Sequence, residues 1–156
     1  MILYLDTSAL IKLYVSEDGT DTVRDAVERA SVVAASHVSY AEARAALARA
    51  CRESRIEKQD HSRAVAALKE DWKRFLVLEV TADLVRRAGD LAEEHALRAY
   101  DAMQLASALI LKERLDADVS FLSYDMELSR GAQSAGLIIP QPRKMLDEGA
   151  IAKGKQ

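Results

Sequence analysis

The stretch MILYLDTSAL, residues 1–10, decides how the rest of the chain is read. An apolar run leads directly into Asp6, the hydroxyls of Thr7 and Ser8 follow, and Leu10, Leu13 and Tyr14 then recur at helical spacing toward Glu17. A short apolar run closed by a carboxylate reads as a buried strand that delivers Asp6 to its C-terminal end. In open parallel α/β sheets that edge is where ligands bind. The expectation is that Glu42, Asp101 and Asp125 reach the same edge. Together, four carboxylates would hold a divalent cation for hydrolysis of a phosphodiester.

Further along, Ser31 to Ser36 is a second short apolar segment fenced by serines, and Val77 to Val80 a third. Val119 to Ser123 and Gly136 to Ile139 complete a set of five expected strands, the last stopped by Pro140 and Pro142. Helical patterns lie between them. Ser39 to about Glu53 is alanine-rich, and over residues 57–75 His61, Val65, Leu68, Trp72 and Phe75 recur at spacings of a packing seam. These two segments predict a protruding helical hairpin, its seam serving either core packing or a protein-binding surface. The helix from Asp101 to about Leu115 is apolar on nearly every side, which predicts burial from both faces. Strands alternating with helices imply a single three-layer α/β domain, with a five-stranded, mainly parallel sheet covered on both faces.

Composition fits one globular domain of 156 residues, 49% of them hydrophobic. A net charge of −3 does not advertise a polyanion partner, so any nucleic-acid contact must come from local basic groups. Aromatics at 5% disfavour a stacking platform for single-stranded nucleic acid. A single cysteine, Cys51, excludes a disulfide framework and a cysteine-based zinc site. No apolar run approaches the ~18 residues of a membrane span, and Asp6 stands where a signal peptide needs apolar residues, so a cytoplasmic location is expected.

Each acid has an ordinary structural explanation. Asp6, Asp101 and Asp125 stand at or near expected helix starts, where Asp is a favoured N-cap worth roughly 1 kcal/mol. Ser39 and Glu42 have the spacing of a capping box. Two features favour a shared site instead. Asp6, Glu42 and Asp125 all follow strands that a parallel sheet would end on one rim, and Asp101 sits on an apolar helix where a carboxylate needs a partner. Converging carboxylates repel and raise one another's pKa values, and a hard cation such as Mg²⁺ or Mn²⁺ relieves this. Thr7, Ser8 and Ser123 flank the acids. Lys12, Arg44 and Arg98 lie where they could contact phosphate, although ordinary surface ion pairs explain such residues as well. His37, His61 and His95 show no metal-ligand spacing.

At this point the chain resembles the PIN-domain ribonucleases, in particular the VapC-type toxins of toxin–antitoxin pairs. The resemblance rests on Leu5 to Leu10, Ser39 to Glu42, Tyr100 to Ala108 and Phe121 to Asp125, and spans about residues 2–142. It implies a PIN-like nuclease domain over residues 1–142; from Arg143 the chain turns polar and Gly/Lys-rich, so residues 143–156 are expected to form a partly frayed tail. It also implies RNA as substrate, Mg²⁺ or Mn²⁺ as cofactor, an acidic quartet of Asp6, Glu42, Asp101 and Asp125, a homodimer, and a small antitoxin as partner. Other readings remain. A phosphotransferase using Asp6 would need a second acid where Ser8 stands, and a catalytically silent RNA-binding or interaction module on the same sheet would have no use for all four acids.

Overall fold

The computed structural model describes residues 1–141, so the expected tail lies outside the described residues. The sheet is built outward from β1 (Ile2–Leu5), which pairs in parallel with β2 (Val32–Ser36) on one side and β4 (Val119–Leu122) on the other. β3 (Leu76–Leu78) adds in parallel beyond β2, giving the order β3-β2-β1-β4. All four strands therefore run the same way and end on the same rim.

Alternation along β1 divides the core. Leu3 and Leu5 point into one apolar cluster and Tyr4 into the other. The Leu3 side is filled from α1 (Thr7–Leu10), α2 (Thr20–Arg29), α3 (His37–Arg52) and α4 (Lys58–Trp72), through residues such as Leu10, Val23, Leu47 and Leu68. The Tyr4 side is filled from α5 (Ala82–His95), α6 (Ala99–Leu115) and α7 (Met126–Ser134), with Leu84, Leu105 and Leu128 inward. The result is the three-layer architecture expected, with the N-terminal strand at its centre. As its composition implied, α6 is buried nearly all round, and Arg87 ties α5 to it through a two-pronged ion pair with Glu113. Among the described residues, no helix is long and apolar enough to cross a membrane.

Some boundaries differ from the sequence reading. The described residues contain four strands rather than five. The segment at Gly136 to Ile139 makes a single bridge, in which Phe121 N–H donates to Ile138 O and Ile138 N–H to Val119 O. Gly136, at φ +91°, turns the chain just before the bridge, and Pro140 has no N–H with which to extend it. In the hairpin, Val65, Leu68, Trp72 and Phe75 pack into the Leu3-side cluster, so the seam serves the core. The helix containing Glu42 begins at His37, capped by Ser36, whose hydroxyl accepts from Val38 N–H. Ser39 is therefore not the cap, and it is buried.

Gly19, just before α2, has φ +90°, and a Cβ there would lie 2.6 Å from the ring of Tyr124, whose hydroxyl donates to Gly19 O. Gly19→Ala is expected to lower stability by about 1–2 kcal/mol from the left-handed backbone alone. It should also displace Tyr124, to be read as a lower denaturant midpoint and a changed tyrosine environment.

Candidate active site

β1 leads into Asp6, whose extended backbone starts α1 and which is only 4% exposed. One carboxylate oxygen accepts from Ala9 N–H at 3.1 Å and from the Ser8 hydroxyl at 2.7 Å. The other accepts from the Ser123 hydroxyl at 2.9 Å. Ser123 follows β4, and its oxygen accepts from Asp125 N–H, while Ser8 Oγ accepts from Tyr124 N–H. The ends of β1 and β4 are thus stitched together through side chains. Asp125 caps α7 by accepting from Leu128 N–H at 2.9 Å. The capping explanation therefore holds for Asp6 and Asp125, but neither Glu42 nor Asp101 occupies a cap position.

Glu42 is anchored on the other side of β1. Its Oε1 accepts from Thr7 Oγ1 at 2.9 Å and from the Gln104 amide at 3.1 Å. Gln104 also donates to Ser39 Oγ at 2.9 Å and accepts from the Tyr4 hydroxyl at 2.6 Å, although it is buried among the apolar residues of α6. Asp101 stands one turn earlier on α6 and accepts from Arg98 Nε at 3.0 Å. The same guanidinium reaches Asp125 Oδ2 at 3.4 Å.

The sequence reading missed Gln104, Ser39 and Tyr4 as members of this polar network. The available signal was a lone Gln one turn after Asp101 on an otherwise apolar helix.

Burial pushes the Asp6 carboxyl up to about 6; the Ser8, Ala9 and Ser123 hydrogen bonds oppose the rise, and the Asp101 charge adds to it. The expected rise is present, but desolvation rather than mutual repulsion is its main cause. The basic candidates separate. Lys12 is nearly buried, with its ammonium bonded to Glu17 Oε1 and Asp18 O and set 4.4 Å over the Tyr124 ring. Arg44 donates to the hydroxyl of Tyr40 on its own helix. Arg98 is 82% exposed and lies directly against the acids.

The donors are of the right kind for a hard divalent cation: carboxylate and hydroxyl oxygens, with one carboxylate shielded from water. Their present spacing does not by itself form a cage. Among the described residues, no three His, Cys, Asp or Glu side chains are grouped so as to hold a metal ion. Between Asp101 and Asp125 the positive charge is supplied by Arg98.

The class is that of a parallel α/β sandwich in which β1 and β4 lead directly into Asp6 and Asp125. The PIN-domain family model matches residues 3–133. Ribonuclease VapC45 of Mycobacterium tuberculosis is 33% identical over 135 residues, covering 86% of this chain and 92% of that protein. Among solved structures, VapC20 of Mycobacterium tuberculosis, described as a sarcin–ricin-loop-cleaving toxin, superposes with a TM-score of 0.65 at 21% identity, covering 90% of this chain and 99% of that one. VapBC2 of Rickettsia felis, bound to a DNA fragment from its promoter, gives 0.59 at 16% identity, covering 90% and 98%. The chain belongs to the PIN-domain family and, within it, to the VapC-type ribonucleases.

Proposed function

We propose that this protein is a divalent-metal-dependent endoribonuclease, the toxin of a toxin–antitoxin pair, whose reaction takes place at the rim carrying Asp6, Glu42, Asp101 and Asp125. The observation that carries the reading is Asp6: a buried carboxylate at the end of the central strand that, among the described residues, is bonded to two hydroxyls and a backbone N–H and to no cationic side chain. A carboxylate destabilised in its charged form and held at the strand-end rim of a parallel sheet is a candidate for function.

Mg²⁺ or Mn²⁺, held by Asp6, Asp101 and Asp125 with Glu42 beside them, would supply the Lewis acidity that makes a phosphodiester and a water reactive at neutral pH. The chain's own contribution is positional. Ser8 and Ser123 fix the Asp6 oxygens, Thr7 and Gln104 fix Glu42, and Asp6, with its pKa of about 6, is mostly ionised at neutral pH. Arg98 presents a guanidinium fork at the mouth, suited to phosphate oxygens. RNA is the substrate consistent with the VapC-type relatives. A small antitoxin partner fits the VapBC pairing of a structural neighbour, and a homodimer and a cytoplasmic location belong to the same reading.

A catalytically silent module on the same sheet is the second reading, and one experiment separates the two. Millimolar Mn²⁺ is expected to raise the melting temperature of the wild type, by the equivalent of about 2.7 kcal/mol at a hundredfold excess over Kd. It should leave the Asp6→Asn/Asp101→Asn double variant unmoved, and EDTA should stop RNA cleavage by the wild type. Equal shifts in both proteins, or cleavage that survives EDTA, would remove the shared metal site.

A further inference from the structure

We infer that Arg98 is a built-in, exchangeable counter-ion of the acidic rim: it occupies the space between Asp101 and Asp125 until a divalent cation displaces it, and it then turns to the phosphate of the RNA. The inference rests on the metal-dependent reading of this rim and deepens it.

Three observations carry it. First, one guanidinium joins two acids from different elements, with Nε donating to Asp101 on α6 and Nη2 to Asp125 at the start of α7. These oxygens belong to two of the acids proposed to bind the cation. A divalent ion drawn to them therefore meets Arg98, and two positive centres at one pair of carboxylates disfavour each other. Second, Arg98 is built to leave. Its side chain is largely exposed, and such ion pairs are weak because water and salt screen them. Third, its backbone is held independently of its side chain. Arg98 occupies the extended position just before α6, next to buried Leu97, whose N–H donates to Ala92 O. A released side chain thus stays tethered at the mouth, where its fork matches a phosphodiester.

Removing the guanidinium then has opposite effects on the two ligands. In calorimetric titration of the whole protein with Mn²⁺ and no RNA, Arg98→Gln should bind the metal more tightly, on the order of 3–10-fold, the scale that two exposed ion pairs can supply. Arg98→Lys, which keeps a charge without the fork, should fall between Arg98→Gln and wild type. In cleavage assays at saturating Mn²⁺, Arg98→Gln should show a raised KM for RNA with a smaller change in kcat. A residue that only stabilised the loop would not tighten metal binding. Equal or weaker Mn²⁺ binding by Arg98→Gln overturns the exchange, and an unchanged KM overturns the transfer to phosphate. A wild type that neither binds Mn²⁺ nor cleaves RNA overturns the ribonuclease reading itself, an outcome distinct from failure of Arg98 alone.

Discussion

Asp6→Asn is expected to abolish RNA cleavage, by more than about 100-fold, while leaving the metal-free protein at least as stable as wild type at pH 7. The activity figure is a lower bound, because losing a mere supporting partner of a metal ligand already costs about 10–100-fold. The stability expectation follows from linkage. The Asp6 carboxyl titrates near 6 in the folded protein against 3.8 as its ordinary value, so the folded state holds the proton more tightly. Its contribution is complete below pH 3.8 and disappears as pH rises through 6, leaving the ionised protein about 3 kcal/mol worse off at this one residue. Asn is neutral at every pH and caps helices about as well as Asp. It gives up one acceptor, so the Ser123 hydroxyl must reorient, and only part of that energy returns. Melts in EDTA should show the variant's advantage at pH 7 and its disappearance near pH 4. A variant clearly less stable at pH 7 that still cleaves RNA would leave Asp6 as a helix cap and nothing more.

Gln104→Leu is expected to be the most damaging change outside the acids. The volume is nearly conserved, but the Tyr4 and Ser39 hydroxyls, both buried, lose their shared partner, as does Glu42. At about 1–3 kcal/mol for each of the two buried hydroxyls left short of a partner, the loss in stability should be about 2–6 kcal/mol. Freed from Gln104, Glu42 keeps Thr7 alone of its two donors among the described residues. Metal affinity or activity should then fall by about 10–100-fold. Adding Tyr4→Phe removes one stranded hydroxyl, so the double variant should recover part of the stability and none of the activity. Chemical denaturation with parallel Mn²⁺ titration measures both. A Gln104→Leu protein that unfolds like wild type would show that this network is not what holds the rim.

The sequence made the sheet legible where one face alternates with the other or where apolar residues stop at a charge. β1 and its terminal Asp6 are such a case, and so is the nearly uniform apolar surface of α6. Contacts formed by chain segments far apart were not legible. Gln104 reads as an isolated polar residue because its partners, Tyr4, Thr7, Ser39 and Glu42, lie on other elements. The start of α3 was misplaced because Ser36 and Ser39 are chemically equivalent caps, and only the unbroken passage from β2 into the helix distinguishes them. Lys12 looked available to phosphate because its spacing to Glu17 does not reveal that the chain folds back on it through the Asp18 carbonyl. Gly136 to Ile139 has strand composition, but a turn before it and a proline after it leave room for a single bridge.

The position of β1 has a consequence for synthesis. β1 is flanked on one side by β2 and on the other by β4, whose residues 119–122 are made much later than its own. Until then one edge of β1 is unpaired, Asp6 lacks Ser123, and Asp125 has not yet been made. A growing chain therefore cannot assemble the full set of acids, however well its N-terminal half has collapsed.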